Sequence, residues 1–398
     1  MPRVTDLRLL AVMLAALSLP GTAAAAPAAG QYGPEPRVHL SPAEDRAVAL
    51  ALARFSADGA RPRVSGALVA AARLLARAAE GGTDPTRRRA VRDALARALA
   101  YDAAPRIYMA RGSTPVFSEG LEDALGPGLG SATHVGAGVV ERDGGFVAVV
   151  LASVRGARLD AFPQRVPPGA RVPLSGQLRA GLCDARVFVT RPSGRVQELA
   201  APRGVRFRVA LSFEEPGRHT VEVLAEGPEG PTVAALFPVA VGEASIEEPR
   251  ADAADEPRAD AAEERAADPA RAEAAVLAAL QNLRAKRGLS PVVLDPTLTA
   301  VARRHSEAMR AAGTIGHAVQ GSPAPDERLR AARLPYRRLY ENVAAAATAL
   351  EAHAAAEASP AHLRNMLEPG IRKVGIGLAR ELSASGRTRV YLTELFVE

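Results

Sequence analysis

The chain has 398 residues, a formal net charge of +6 and a sequence pI near 9.9, with 48% apolar but only 4% aromatic residues. That length suits two or three domains, and without a single Trp their cores must be built from Ala, Leu and Val. The base is mostly arginine scattered among alanines, which argues against nucleic-acid binding, and the single cysteine, Cys183, rules out an intrachain disulfide.

At the N-terminus, Arg3 and Arg8 flank a positive start, residues 9–19 form an apolar run, and residues 21–26 are small. This predicts a secretory signal peptide over 1–26, its apolar run too short for a mature membrane anchor. No cysteine follows the run, so no lipoprotein anchor is expected. No later stretch is apolar for long enough to span a bilayer. The expectation is a secreted or periplasmic protein.

Residues 38–160 read as an α+β domain. Helical spacing recurs over 47–55, 69–79 and 90–99, followed by a strand-rich half. Residues 161–242 change to a period of two, with turn signals such as Pro167-Pro168-Gly169, Pro192-Ser193-Gly194 and Pro216-Gly217. Short strands at that spacing predict an Ig-like β-sandwich. Cys183 falls in one of these strands, where a small buried hydrophobe is expected. Residues 243–270 are acidic, and the block Glu-Pro-Arg-Ala-Asp-Ala-Ala occurs at 248–254 and again at 256–262. With almost no large apolar groups to bury, this segment is expected to be a solvated, disordered linker.

The last domain, 271–398, opens with an amphipathic helix over 275–286, closed by Gly288, the residue best suited to a left-handed turn. Residues 290–294 are extended. Asp295-Pro296 supplies the cap and first turn of a second helix that ends at Gly313, and Ser359-Pro360 opens another with His362 in its first turn. Several polar strings punctuate this region: Ala302-Arg303-Arg304-His305-Ser306, Gly316-His317, Tyr340-Glu341-Asn342-Val343, Ser359-Pro360-Ala361-His362 with Asn365-Met366-Leu367, and Val374-Gly375-Ile376-Gly377.

In that order these strings resemble the bacterial branch of the CAP superfamily (cysteine-rich secretory, antigen 5 and pathogenesis-related proteins, also called SCP-like) over about residues 270–398. The resemblance implies an α-β-α sandwich. It also implies a cleft lined by two His and two acids, which in some members hold a divalent cation. Carried over residue by residue, His317 matches the first histidine, Glu341 the acid of the Glu-Asn motif and His362 the second histidine. The family's second acid follows a tryptophan that this chain lacks, and neither Glu351 nor Glu357 aligns with it. Two His and one Glu would suffice for zinc with an open water position, so His317, Glu341 and His362 are the expected cation ligands. Leu363 stands where relatives have arginine, and Glu394 replaces the usual glutamine. His305 reads as a packed or capping residue and His353 as a solvated or half-buried one.

Two strings of the N-terminal domain echo the C-terminal one. Leu68-Val69-Ala70-Ala71-Ala72-Arg73-Leu74-Leu75 parallels residues 298–305, and Val135-Gly136-Ala137-Gly138 parallels 374–377. Leu75 stands where His305 does, and nothing corresponds to Glu341 or to the Ser-Pro-x-His string. The expectation is a degenerate CAP-like copy at 38–160 that lost its polar cleft, with chance similarity between alanine-rich helices as the alternative. The fold class is then α+β multidomain.

Three functional readings follow. The leading one is an exported, non-catalytic binding module for an extracellular or envelope ligand (lipid, glycan or protein), acting through the His/Glu cleft. The alternatives are a metal-dependent hydrolase with Glu341 as general base and a structural adhesion protein acting through the Ig-like domain. No Gly-x-Ser-x-Gly elbow, His-Glu-x-x-His helix or phosphate loop is present, so the balance is against an enzyme.

Overall fold

The computed structural model describes residues 30–56, 61–126, 132–248, 268–382 and 388–398. The expected signal peptide at 1–26 and most of the expected linker, 249–267, lie outside the described residues. No helix among the described residues is long and apolar enough to cross a membrane.

In chain order, β1 (Gln31–Tyr32) is followed by α1 (Pro42–Phe55), β2 (Arg63–Val64), α2 (Gly66–Glu80) and α3 (Arg88–Arg97). Then come β3 (Arg106–Ser113), α4 (Phe117–Leu125), β4 (His134–Arg142) and β5 (Gly145–Ser153). The sheet order is β2-β4-β5-β3, with β2 parallel to β4 and the other pairs antiparallel. Val135, Ala137 and Val150 pack on α1 and α4, while Val149 and Leu151 pack on α2 and α3. Helices thus cover both faces. Ser41 opens α1 with a reciprocal capping box to Glu44, and Ser65 caps α2.

The central region holds β6 (Ala157–Leu159), β7 (Phe162–Pro163), β8 (Arg165–Val166), β9 (Ala170–Leu178) and β10 (Cys183–Thr190). It continues with β11 (Val196–Ala200), β12 (Arg206–Phe213), β13 (Gly217–Gly227) and β14 (Gly230–Val241). One sheet runs β11-β10-β13-β14-β8 and a second runs β12-β9-β6, while β7 pairs with β1. Side chains alternate along the strands. Val187, Val221, Val223 and Phe237 of the first sheet therefore share one core with Leu174, Phe207 and Leu211 of the second. The sandwich starts at Ala157, ahead of the expected boundary at 161, because β6 pairs with β9.

Two expectations are corrected here. Cys183 is exposed, because a register shift between Cys183 and Arg186 turns the start of β10 away from the core. Residues 243–248, expected to begin the linker, are docked on the N-terminal domain. Ile246 is buried beside Ala96 and Ala240, and Glu248 pairs with Arg92 at 2.8 Å.

The C-terminal domain comprises α5 (Pro269–Lys286), β15 (Val293–Leu294), α6 (Pro296–Ala312), α7 (Pro325–Ala331) and β16 (Leu339–Ala346). It ends with α8 (Ala349–Glu357), α9 (Pro360–Met366), β17 (Lys373–Leu382) and β18 (Thr388–Val397). Its sheet order is β15-β17-β18-β16, with β15 parallel to β17. α5, α8 and α9 pack on one face through Val374, Ile376 and Phe396, and α6 and α7 pack on the other through Leu395 and Val397. Periodicity did not flag α4, α7 or α8. The buried face of α8 is Ala349, Ala352, His353 and Ala356, with little apolar contrast to its exposed face.

Several contacts recur in the two α/β domains. A Cβ on Gly138 would lie 2.2 Å from the backbone N of Arg73, and one on Gly377 would lie 2.1 Å from that of Arg303. In each domain a helix therefore lies directly on a Gly-x-Gly strand. Arg73 Nε bonds Glu44 on the first helix at 2.7 Å, and Arg303 Nε bonds Glu273 on its counterpart at the same distance. In the sheet registers Ile107 faces the partner of Gly136 as Glu341 faces the partner of Gly375.

Candidate functional site

Three neighbouring segments build the cleft. His317 follows α6 in the loop beyond Gly313, whose left-handed backbone (φ 65°) ends the helix. Glu341 lies on β16. His362 sits in the first turn of α9, where the Ser359 side chain caps the helix by accepting from the His362 amide. All three line one cavity of about 490 Å³.

Within it, His317 Nδ1 is 2.8 Å from Glu341 Oε1, and Arg328 Nη2 donates to Glu341 Oε2 at 2.6 Å. Burial alone would raise the Glu341 carboxyl, but the His317 hydrogen bond and the Arg328 charge outweigh it and hold it below the usual range. His362 Nδ1 is 2.8 Å from Ser359 Oγ. Burial, together with nearby His317, pushes the His362 imidazole down to about 4, so it is neutral near pH 7.

A buried polar layer lies beneath. Asn342, fully buried, donates to Glu394 Oε2 at 3.1 Å and to the His362 carbonyl at 3.3 Å, and accepts from Asn365 at 3.0 Å. Glu394 Oε1 accepts from His353 Nδ1 at 2.7 Å. His353 is 2% exposed, fully buried where a solvated or half-buried position was expected. Burial opposes its protonation, but Glu394 outweighs that and raises its pKa. His305 is a packed residue, bonded to Ser322 Oγ and the Gly316 carbonyl.

The other wall belongs to the central sandwich. The Glu229 carbonyl accepts from the amides of His317 and Ala318 at 2.9 and 3.1 Å. Phe188 and Leu224 pack on Ala361, and Glu198 pairs with Arg364 at 2.9 Å. Glu222, fully buried on β13, accepts from the Ser359 hydroxyl at 2.7 Å and from the Ala361 amide at 2.6 Å. Ser359 thus caps α9 and links Glu222 to His362, and when Glu222 is ionised the hydroxyl donates to it. Neither Glu222 nor Arg328 was flagged in the sequence. Glu222 reads as an ordinary outward position of an alternating strand and Arg328 as one of a run of charges, and the partner of each is distant in the chain.

The expected cation set does not fit this arrangement. Both Glu341 oxygens are already engaged, one by Arg328 and one by His317. Among the described residues no three His, Cys, Asp or Glu side chains are placed to hold a metal ion.

Layered helices around a four-stranded sheet, with a His/Glu cleft at the β16 edge, define a class of small α-β-α domains. Residues 277–396 match the family model described as "CAP: Cysteine-rich secretory protein family", and this part of the chain is a CAP domain. None of the curated proteins matches the sequence. Among solved structures, an outer surface protein of Borrelia burgdorferi is 20% identical, with 33% of this chain and 96% of that one covered and a TM-score of 0.29. An extracellular protein containing an SCP domain from Bacillus anthracis is 13% identical, with 48% and 64% covered and a TM-score of 0.30. A cysteine-rich secretory protein from Staphylococcus aureus is 10% identical, with 66% and 85% covered and a TM-score of 0.26.

Proposed function

We propose that the chain is an exported, non-catalytic binding protein whose CAP cleft takes an amphiphilic ligand. Its apolar part would lie against Phe188, Leu224, Pro228 and Pro231, and its head at His317 and His362. The convergence of both histidines with that apolar wall on one cavity of about 490 Å³ carries this reading, since ligand sites are typically largely apolar clefts with a few placed polar groups. The central sandwich is read as an Ig-like module that supplies one wall of the site. Export is supported by the signal-peptide pattern at residues 1–26.

The domain at 38–160 is read as a degenerate CAP-like copy. Leu75, Ala76, Ile107 and Val150 occupy its positions for His305, Ser306, Glu341 and Glu394, so it lacks the polar set of the C-terminal cleft. The hydrolase alternative loses support because Glu341, held by Arg328, is not free to act as a base.

Nile red fluorescence tests the reading, with displacement by a twelve-carbon amphiphile. The full chain is expected to bind the dye once per molecule. Ala324→Trp, which places an indole in the cavity, should weaken binding about tenfold or more. Undiminished binding in that variant would overturn the proposal.

A further inference from the structure

We infer that Glu222 of the sandwich is a positioning residue for the CAP cleft. Through Ser359 it fixes the His362 proton on Nδ1, so the cleft presents bare imidazole acceptors and selects a hydroxyl-bearing head over a carboxylate. The selectivity rests on the binding role proposed above, whereas the positioning does not.

A backbone amide can only donate, so the Ala361 amide assigns Glu222 Oε2 as an acceptor. Oε1 accepts from the Ser359 hydroxyl. Above its titration at about 7 Glu222 is an ionised carboxylate, and both of its oxygens then accept. Ser359 has a single hydroxyl proton, and once it is given to Glu222 the oxygen can only accept. Its contact with His362 Nδ1 at 2.8 Å therefore requires the proton to sit on Nδ1. The Nε2 lone pair is left bare.

The same logic fixes His317. Its Nδ1 meets the carboxylate of Glu341, whose other oxygen accepts from Arg328. Neither Nε2 has a protein partner among the described residues, and both rings line the cavity. At the rim Arg186 pairs with Glu226 and Arg364 with Glu198. The polar end of the cavity is thus rich in acceptors. A hydroxyl can donate to it, while a carboxylate would face two lone pairs. Because Glu222 and His362 belong to different domains, docking of the sandwich sets the chemistry of the cleft.

The full chain, labelled with nitrogen-15 histidine, reports each tautomer by two-bond proton–nitrogen correlation. The measurement is made at about pH 8.5, where a carboxyl titrating near 7 is ionised, and His362→Gln assigns the signals. In the parent protein His362 and His317 should both carry the proton on Nδ1. In Glu222→Gln the amide donates to Ser359, the hydroxyl turns to His362, and the proton should move to Nε2. His317 should not change, which makes it the internal control. If Glu222→Gln separates the domains and disturbs His317 too, Ser359→Ala tests the same relay with Glu222 in place and should release His362 to a tautomer mixture.

Displacement of Nile red by dodecanol and dodecanoate then reads the selectivity. The alcohol should be favoured about tenfold in the parent, the worth of roughly one hydrogen bond, and the preference should vanish in Glu222→Gln. A His362 proton that stays on Nδ1 in both variants, or that sits on Nε2 in the parent, overturns the positioning role. Tautomers that respond while neither amphiphile binds would leave that role standing and overturn the binding reading and the selectivity with it.

Discussion

Gly230 of the sandwich lies directly against His317 of the CAP domain, where an added Cβ would come within 2.8 Å of the His317 Cβ. Its φ of 98° is one that other L-residues rarely adopt. The two domains therefore meet at the His/Glu cleft itself. Gly230→Ala should cost about 1–3 kcal/mol from backbone strain, with the clash in addition. Urea denaturation should show the loss, and the His317 resonances should shift.

Glu222 makes this interface sensitive to pH. Burial raises its carboxyl to about 7, although Ser359, the Ala361 amide and Arg92 pull the other way. A carboxyl raised by docking favours the docked state most at low pH. That contribution, on the order of 3 kcal/mol, should be present below the ordinary value of 4.5 and be lost as pH rises through about 7. The difference in stability between the parent and Glu222→Gln, measured across this window, should show that slope and level off above it.

Arg328 is the counter-charge of Glu341, and the sign here is opposite. The depressed carboxyl contributes stability above the usual carboxylate range, and this is lost as pH falls through the lower value of the folded state. Arg328→Met leaves a buried carboxylate with only His317 and should cost about 3–5 kcal/mol at pH 7. The deficit in chemical denaturation should shrink on acidification.

With both Glu341 oxygens engaged, a chelator should leave the thermal midpoint of the parent protein unchanged, and zinc should not raise it. A saturable, zinc-dependent rise of several degrees would mean that Glu341 exchanges Arg328 for the metal.

Gly138 and Gly377 hold equivalent places under their helices. Either Gly→Ala change drives a Cβ to within 2.2 Å of helix backbone, and each should cost about 3 kcal/mol or more, beyond ordinary overpacking. Hydrogen exchange should localise each effect to its own domain. Damage confined to one of the two would break the correspondence between them.

The CAP domain was legible in the sequence because its signals are local. The Asp295 cap, the Gly313 stop, the Ser359-Pro360 start and the Gly375-Ile376-Gly377 string each act within a few residues. The same holds for the alternating strands of the sandwich. The grouping of His317, Glu341 and His362 could be read through the family resemblance, since each belongs to a short string of its own.

What those residues do in the cleft was decided by tertiary contacts. Whether Glu341 is a free ligand depends on Arg328, 13 residues away. The proton of His362 depends on Glu222, across a domain boundary 137 residues away from Ser359. The alanines around His353 suggest a solvated or half-buried face, yet its buried partner Glu394 lies 41 residues on. Local sequence sets backbone conformation through caps, turns and periodicity. Protonation, charge pairing and burial are set by whichever side chains the fold brings within about 3 Å, and such partners leave no periodic trace in the chain.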